Sequence, residues 1–177
     1  MASRPFQILA GIRWATRFDN SLEILVSNHV FRRRRALTLV HQGMPVLIDG
    51  LSSDAHVVTE VLLDGMYDEY LRTASEGRPL LRYLNLGANI GTFDLRAAQI
   101  ASHGCAGAAV EMNPATYARL VVNLETNNLT SVRAITAAAW DAVGEVRVAI
   151  EARDTGQRCE NSERGWPVPM LPWAALF

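Results

Sequence analysis

Tyr83-Leu84-Asn85-Leu86-Gly87-Ala88-Asn89-Ile90-Gly91 is the stretch from which the rest of the chain hangs. Tyr83, Leu84 and Leu86 form a short apolar run of the length of a buried strand. Gly87 to Gly91 reads as a tight turn. Thr92 to Ser102 then carries Phe93, Ala97 and Ile100 at helical spacing, and Gly104 stands where that helix stops. Strand, glycine turn, helix is the arrangement by which an α/β sheet turns backbone N–H groups and the positive end of a helix toward a ligand.

The glycine spacing excludes two familiar sites. A dinucleotide fingerprint anchored at Gly87 needs glycine at 89 and 92, where the chain has Asn89 and Thr92. A P-loop ends in Gly-Lys-Ser/Thr, and the chain contains no lysine. A turn of this kind without a phosphate-binding lysine suits a nucleoside-type ligand that lacks a polyphosphate.

Outward from the turn, Gly107 to Met112 is a second apolar run, closed by Asn113 as a helix N-cap and Pro114 at the first helical position. Tyr117, Leu120, Val121 and Leu124 follow at i, i+3, i+4, i+7. Val132 to Ala138 reads as a third strand. Strands alternating with helices predict parallel pairing with right-handed crossovers. Gly144 precedes an alternating stretch, Glu145 to Ile150, expected to form a hairpin with what comes before it. Residues 151–165 are polar and loop-like, and Trp166 to Phe177 is an apolar tail. Upstream, Ala36 to Leu47 predicts two short strands about a turn at His41-Gln42-Gly43. Ser52-Ser53-Asp54 opens a helix with a stripe of Val57, Val58, Val61 and Leu62, ended by Gly65. Gly77 and Pro79 mark a boundary. The expected organisation is an N-terminal segment, 1–79, with short strands and a helix at about 54–64, before a core at 80–177.

Glu111 falls at the carboxyl end of the second strand, the edge where a doubly wound sheet binds ligands. An acid there accepts both hydroxyls of a ribose; alternatively it caps the next helix. Gly87 and Gly91 allow close approach or a positive φ, which a turn needs with or without a ligand. Asn89 either holds the turn through its side chain or tolerates left-handed φ.

The composition bounds the rest. With 177 residues, 49% of them hydrophobic, the chain supports one domain with a true core. A net charge of −1 gives no field favouring nucleic acid or membrane. The run Arg32-Arg33-Arg34-Arg35 could bind phosphates or an acidic partner, but it has no interleaved aromatics and reads better as a solvated surface. Cys105 and Cys159 have neither disulfide-framework nor zinc spacing, so a reducing, cytoplasmic setting is the default. The histidines show no metal-ligand spacing, and His103 reads as surface. Met1 to Phe18 has no apolar core long enough for a signal peptide or membrane span.

Asn85-Leu86-Gly87-Ala88-Asn89-Ile90-Gly91 resembles the first motif, Asp-x-Gly-Ala-Asn-x-Gly, of the S-adenosylmethionine-dependent methyltransferases of FkbM type. Val110-Glu111-Met112-Asn113-Pro114 resembles the end of that family's second strand, and Leu120 to Asn127 its next helix. Ala137 to Asp141 with Gly144-Glu145-Val146, and Ser53-Asp54 to Tyr67-Asp68 upstream, also resemble family segments; together they span Asp49 to Ile150. The resemblance implies a partial Rossmann-like α/β sheet and S-adenosylmethionine as cofactor. It implies a cofactor site of Asn85, Gly87, Ala88, Asn89, Gly91, Glu111 and Asp141, and transfer of a methyl group to a hydroxyl of a small molecule or sugar. Trp140 and Asp141 fall at the family's adenine contacts, although Trp140 suits a core position equally. Asn85 departs from the family's acid. The family continues through a Lys-x-Asp-x-Glu-Gly segment that has no counterpart here, so the resemblance implies a truncated core. Its first strand would expose an unpaired edge open to self-association, and the chain would be either an enzyme or a non-catalytic remnant serving as an interaction module.

Overall fold

A computed structural model of the protein describes residues 4–30, 36–148 and 165–176. Arg32 to Arg35, Cys159 and most of the polar stretch 151–165 lie outside the described residues.

The chain begins with two helices, α1 (Arg4–Ala15) and α2 (Ser21–Val30), neither of which its sequence periodicity announces. Between them Asn20 pins the helical pair to the next strand: its Oδ1 accepts from Val40 N at 2.9 Å and its Nδ2 donates to Thr38 O at 2.8 Å. The expected hairpin follows as β1 (Ala36–His41) and β2 (Met44–Asp49), antiparallel. Gln42 (φ 52°) and Gly43 (φ 76°) make its two-residue loop, the doubly left-handed turn that matches the twist of paired strands.

Helix α3 (Asp54–Val58) continues as a π-helical stretch, Thr59–Leu63, and turns off at Gly65 with φ 67°. Val58, Val61 and Leu62 form its buried stripe, as the spacing predicts. A further helix, α4 (Asp68–Ser75), buries Leu71 with Ala74 packed beside it. It is held by Asp68, whose carboxylate takes two bonds from Arg96, Nε at 2.7 Å and Nη2 at 2.6 Å.

The centre is the alternation β3 (Leu81–Leu86), α5 (Thr92–Ile100), β4 (Cys105–Glu111), α6 (Pro114–Thr126), β5 (Val132–Thr136). The three strands are parallel in the order β3-β4-β5. Along β4 the side chains alternate between faces. Ala109 packs with Leu120 and Leu124 of α6, whereas Val110 packs with Ala137 and Leu176 of the C-terminal segment. This is a partial Rossmann-like sheet with helices, as the sequence predicts. Among the described residues β3 has no partner on its outer side, and Leu86 is about half exposed there.

Two expectations fail beyond β5. The third strand ends at Thr136, the Ala137 N–H making the last bond of the β4–β5 ladder to Glu111 O at 3.3 Å, and β6 (Ala138–Trp140) starts anew. The stretch after Gly144 does form β7 (Gly144–Val148), but its partner is not the preceding chain. It pairs antiparallel with β8 (Trp166–Pro172), a strand made from the apolar tail, which also pairs parallel with β6 over Met170–Pro172. Prolines at 167, 169 and 172 argue against a strand from sequence, because proline donates nothing to a ladder. Here apolar side chains win: Val168 and Leu176 are buried.

The N-terminal segment is packed onto the centre. One core cluster joins Phe18, Ile24, Leu39, Val46, Ile48 and Leu62 to Ile90 of the glycine turn and Leu95 of α5.

Candidate functional site

The glycine turn sits at a strand-to-helix junction over the carboxyl end of β4. Parallel register sets Asn85 beside Ala109 and Leu86 beside Val110. One residue further on, Gly87 N and Ala88 N both donate to Val110 O at 2.9 Å. Asn89 N donates to Glu111 Oε2 at 2.9 Å, Ile90 N to Asn89 Oδ1 at 2.7 Å, and Gly91 N to Ala88 O at 2.9 Å. Every amide from Gly87 to Gly91 therefore has an acceptor inside the protein. This corrects the expectation that the turn aims its N–H groups at a ligand: it spends them on its own shape. The opening is one step further along. The N-cap of α5 is Gly91, with no side chain to bond the leading N–H groups of the helix.

The two glycines do different work. Gly87 has φ 73°, and nothing lies within 4 Å of where a Cβ would stand, so a ligand has room to approach the main chain there. Gly91 has φ 86°, and a Cβ would sit 2.8 Å from Leu120 Cδ1, so its close approach is to α6. Asn89 does both things expected of it, holding φ 52° and accepting from Ile90 N. Ala88 is buried against α6.

Glu111 points at the turn. Its Oε2 takes the Asn89 N–H and its Oε1 takes the Asn113 N–H at 2.8 Å. Burial pushes the carboxyl up from its ordinary range, while bonds from the backbone of Asn113, Asn89 and Met112 and the charge of Arg119 pull it down. It thus ties the turn to the N-cap of α6. Asn113 caps that helix as its sequence predicts, accepting from Ala115 N at 2.9 Å and Thr116 N at 3.3 Å. Arg119 is anchored in turn, with Nε 2.8 Å from Asp54 Oδ2.

Asn85 directs its Nδ2 to Asp94 Oδ2 at 2.9 Å. Asp94, in the first turn of α5, is wholly buried, and its Oδ1 has no hydrogen-bond partner among the described residues. Tyr83 Oη is also buried and unpartnered; it comes close enough to perturb Asp94 without a hydrogen-bond geometry. Burial raises the Asp94 carboxyl to about 6, against the Asn85 bond and the nearby Tyr83 hydroxyl, which lower it. A raised carboxyl gives stability that is full below the unfolded value of 3.8 and lost as pH climbs through about 6. Asp94→Asn is therefore expected to be more stable than the wild type at pH 7.5 by roughly 2 kcal/mol, and equal to it near pH 4. Urea unfolding at the two pH values checks this. A constant difference would contradict it.

Sequence reasoning missed a second polar group, Asn123 of α6. It is buried on the same helix face as Leu120 and Leu124. Its Oδ1 accepts from Leu47 N at 2.6 Å, and its Nδ2 donates to Leu47 O at 3.1 Å and to Ile90 O at 2.9 Å. One amide so joins β2, α6 and the glycine turn. The signal was available, since an asparagine interrupts an otherwise apolar stripe.

Gly87, Ala88, Asn89 and Gly91 are gathered with Glu111, and Asn85 lies just before them. Asp141 is not tied to this group. It is exposed beyond β6 and forms no hydrogen bond or ion pair with the turn or with Glu111. Trp140 is not core, being about half exposed. His103 is on the surface, and no metal-holding cluster occurs among the described residues. Cys105 is a free, buried thiol. No described helix is long and apolar enough to cross a membrane. A groove of about 380 Å³ lies on one face of the sheet, over the first halves of its strands, between Arg82, Leu84, Ala106, Ala108, Arg133 and Leu176.

No family model matches the sequence, nor does any curated protein. Solved structures do resemble it. A SAM-dependent methyltransferase from Agrobacterium tumefaciens is 22% identical, with a TM-score of 0.44, over 60% of this chain and 33% of that one. TYW2 of M. jannaschii in complex with AdoMet is 20% identical, with a TM-score of 0.42, over 59% of this chain and 44% of its own. TYW2 of P. horikoshii in complex with MeSAdo is 19% identical, with a TM-score of 0.44, over 64% and 40%. The chain spans less than half the length of each of these proteins.

Proposed function

We propose that the turn Gly87–Gly91 and Glu111 bind S-adenosylmethionine, and that the protein is a methyltransferase of FkbM type acting on a hydroxyl of a small molecule or sugar. The observation that carries this is the Glu111 carboxylate at the carboxyl edge of the parallel sheet, 2.9 Å from Asn89 N, beside open space at Gly87. A carboxylate offers about four lone-pair positions. The backbone of Asn89, Asn113 and Met112 already bonds it, and the remaining acceptor capacity is assigned in this reading to a ribose hydroxyl. The uncapped start of α5 suits the carboxylate of the cofactor's amino-acid end. In this reading the exposed Trp140 would stack on the adenine and Asp141 would accept from its exocyclic amine, as the family resemblance implies.

When bound, S-adenosylmethionine supplies a sulfonium methyl group for in-line displacement. The protein's part is to hold the nucleoside so that the methyl faces the acceptor. No general base is assigned. Residues 80–177 form the cofactor-binding part in this reading, with 1–79 bracing it through Asn123 and Ile90.

Glu111→Gln keeps one acceptor but gives up the charge, so cofactor affinity is expected to fall at least about tenfold. Isothermal titration measures it, and unchanged affinity removes Glu111 from the site. A second reading, an interaction module without turnover, is favoured by the open outer edge of β3 with Leu86 half exposed. Cofactor binding without methyl transfer to any hydroxyl acceptor, together with self-association that Leu86→Lys abolishes in sedimentation, would select it.

A further inference from the structure

We infer that Asp94 is a positioning residue that orients the Asn85 amide and lends its negative charge to the ammonium group of a bound amino-acid-bearing nucleoside. This rests on the S-adenosylmethionine reading of the site. An ionised carboxylate only accepts, so the Asn85 group 2.9 Å from Asp94 Oδ2 is the amide nitrogen, and the amide is held one way round. Its Oδ1, with no hydrogen bond among the described residues, is left as an acceptor at the end of β3, just before the turn. Asp94 Oδ2 also lies 3.8 Å from where a Cβ of Gly91 would stand, directly beneath the turn.

A wholly buried carboxylate with one oxygen unpartnered is costly unless a cation comes near it. Among the described residues none does: Asp94 forms no ion pair with them. The groups facing it are the Tyr83 phenol and Asn85 amide from β3 and the Cys105 thiol from β4. Where α6 crosses the turn, Leu120 and Leu124 lie nearest Gly91 and the neutral Asn123 amide bonds Ile90 O. Burial raises both the phenol and the thiol, so neither is a competing anion near neutral pH. The charge that a bound ammonium needs is thus supplied from the first turn of α5, relayed through a neutral amide on β3. Asn85→Asp alone does not improve the site, because it sets a second carboxylate against the first.

The test compares two ligands on the full chain by calorimetry: S-adenosylmethionine, which carries the ammonium group, and 5′-methylthioadenosine, which lacks it. Asp94→Asn is expected to weaken S-adenosylmethionine about tenfold and to leave 5′-methylthioadenosine within about twofold, as loss of one charge-assisted contact predicts. The exchanged pair, Asn85→Asp with Asp94→Asn, restores the charge and should recover wild-type affinity. The wild-type preference for S-adenosylmethionine should also shrink as pH falls below about 6 and stay flat in Asp94→Asn. Equal weakening of both ligands, or none for S-adenosylmethionine, overturns the role of Asp94 while leaving the cofactor reading intact. Failure of the wild type to bind either ligand overturns both.

Discussion

Asn123→Ala is expected to be among the most damaging single changes in this chain, lowering stability by about 4 kcal/mol. The amide makes three hydrogen bonds, to both backbone groups of Leu47 and to Ile90 O, from a position that is almost wholly buried. Truncation strands all three partners, and each unsatisfied buried group costs about 1–3 kcal/mol. Water rescues the Leu47 groups in part, because β2 is only half buried there. For a chain of this length the loss corresponds to roughly 10 °C in midpoint. Leucine, similar in volume, does not rescue, because the missing element is pairing. A leucine variant melting with the wild type would show that the cluster of Ile48, Leu62, Ile90 and Leu95 holds the N-terminal segment alone. The consequence reaches the site, since Ile90 O belongs to the glycine turn.

Gly91→Ala is the second large effect, and Gly87→Ala is its control. Both residues have left-handed φ, which costs a residue with a Cβ roughly 1–2 kcal/mol. At Gly91 the new methyl also strikes Leu120 Cδ1 at 2.8 Å, and overpacking a core adds about 1–3 kcal/mol. A total of about 3 kcal/mol is expected at 91. At 87 the methyl meets nothing within 4 Å, so only the conformational cost of about 1 kcal/mol applies. Ligand binding should invert the order per unit of stability lost: Gly87→Ala fills the space assigned to the nucleoside, whereas Gly91→Ala acts through α6. Chemical denaturation and cofactor titration on both variants separate the two. Equal destabilisation would mean that α6 yields to the methyl.

The sequence was most legible where one local rule and one tertiary need agree. The turn, Asn113-Pro114, and the spacing of Leu120 and Leu124 each state a backbone preference that packing reinforces. Glu111 was legible because strand length alone puts it at the sheet's carboxyl edge. Legibility ended where long-range pairing decides. The partner of β7 is β8, beyond the stretch 149–164, and nothing local to Gly144 points there. Helix α4 is short, buries one residue and is held by Arg96 from another helix, so the spacing of Tyr67, Tyr70, Leu71 and Ala74 was its one local signal. The inward turn of the Gly87–Gly91 amides could not be foreseen either. It depends on Val110 O and the Glu111 carboxylate standing beneath them in register. Asp94 and Asn123 were hidden for the opposite reason: each is a polar residue on a buried helix face, visible only as an exception to a pattern.

Titration of S-adenosylmethionine into the wild-type protein and into Glu111→Gln is the most direct test of the pocket formed by the glycine turn and the carboxylate below it. One-to-one binding to the wild type, competed by 5′-methylthioadenosine and weakened at least about tenfold in the variant, is the predicted result. Binding that is absent from the folded wild type, or that is undiminished in Glu111→Gln, would contradict it.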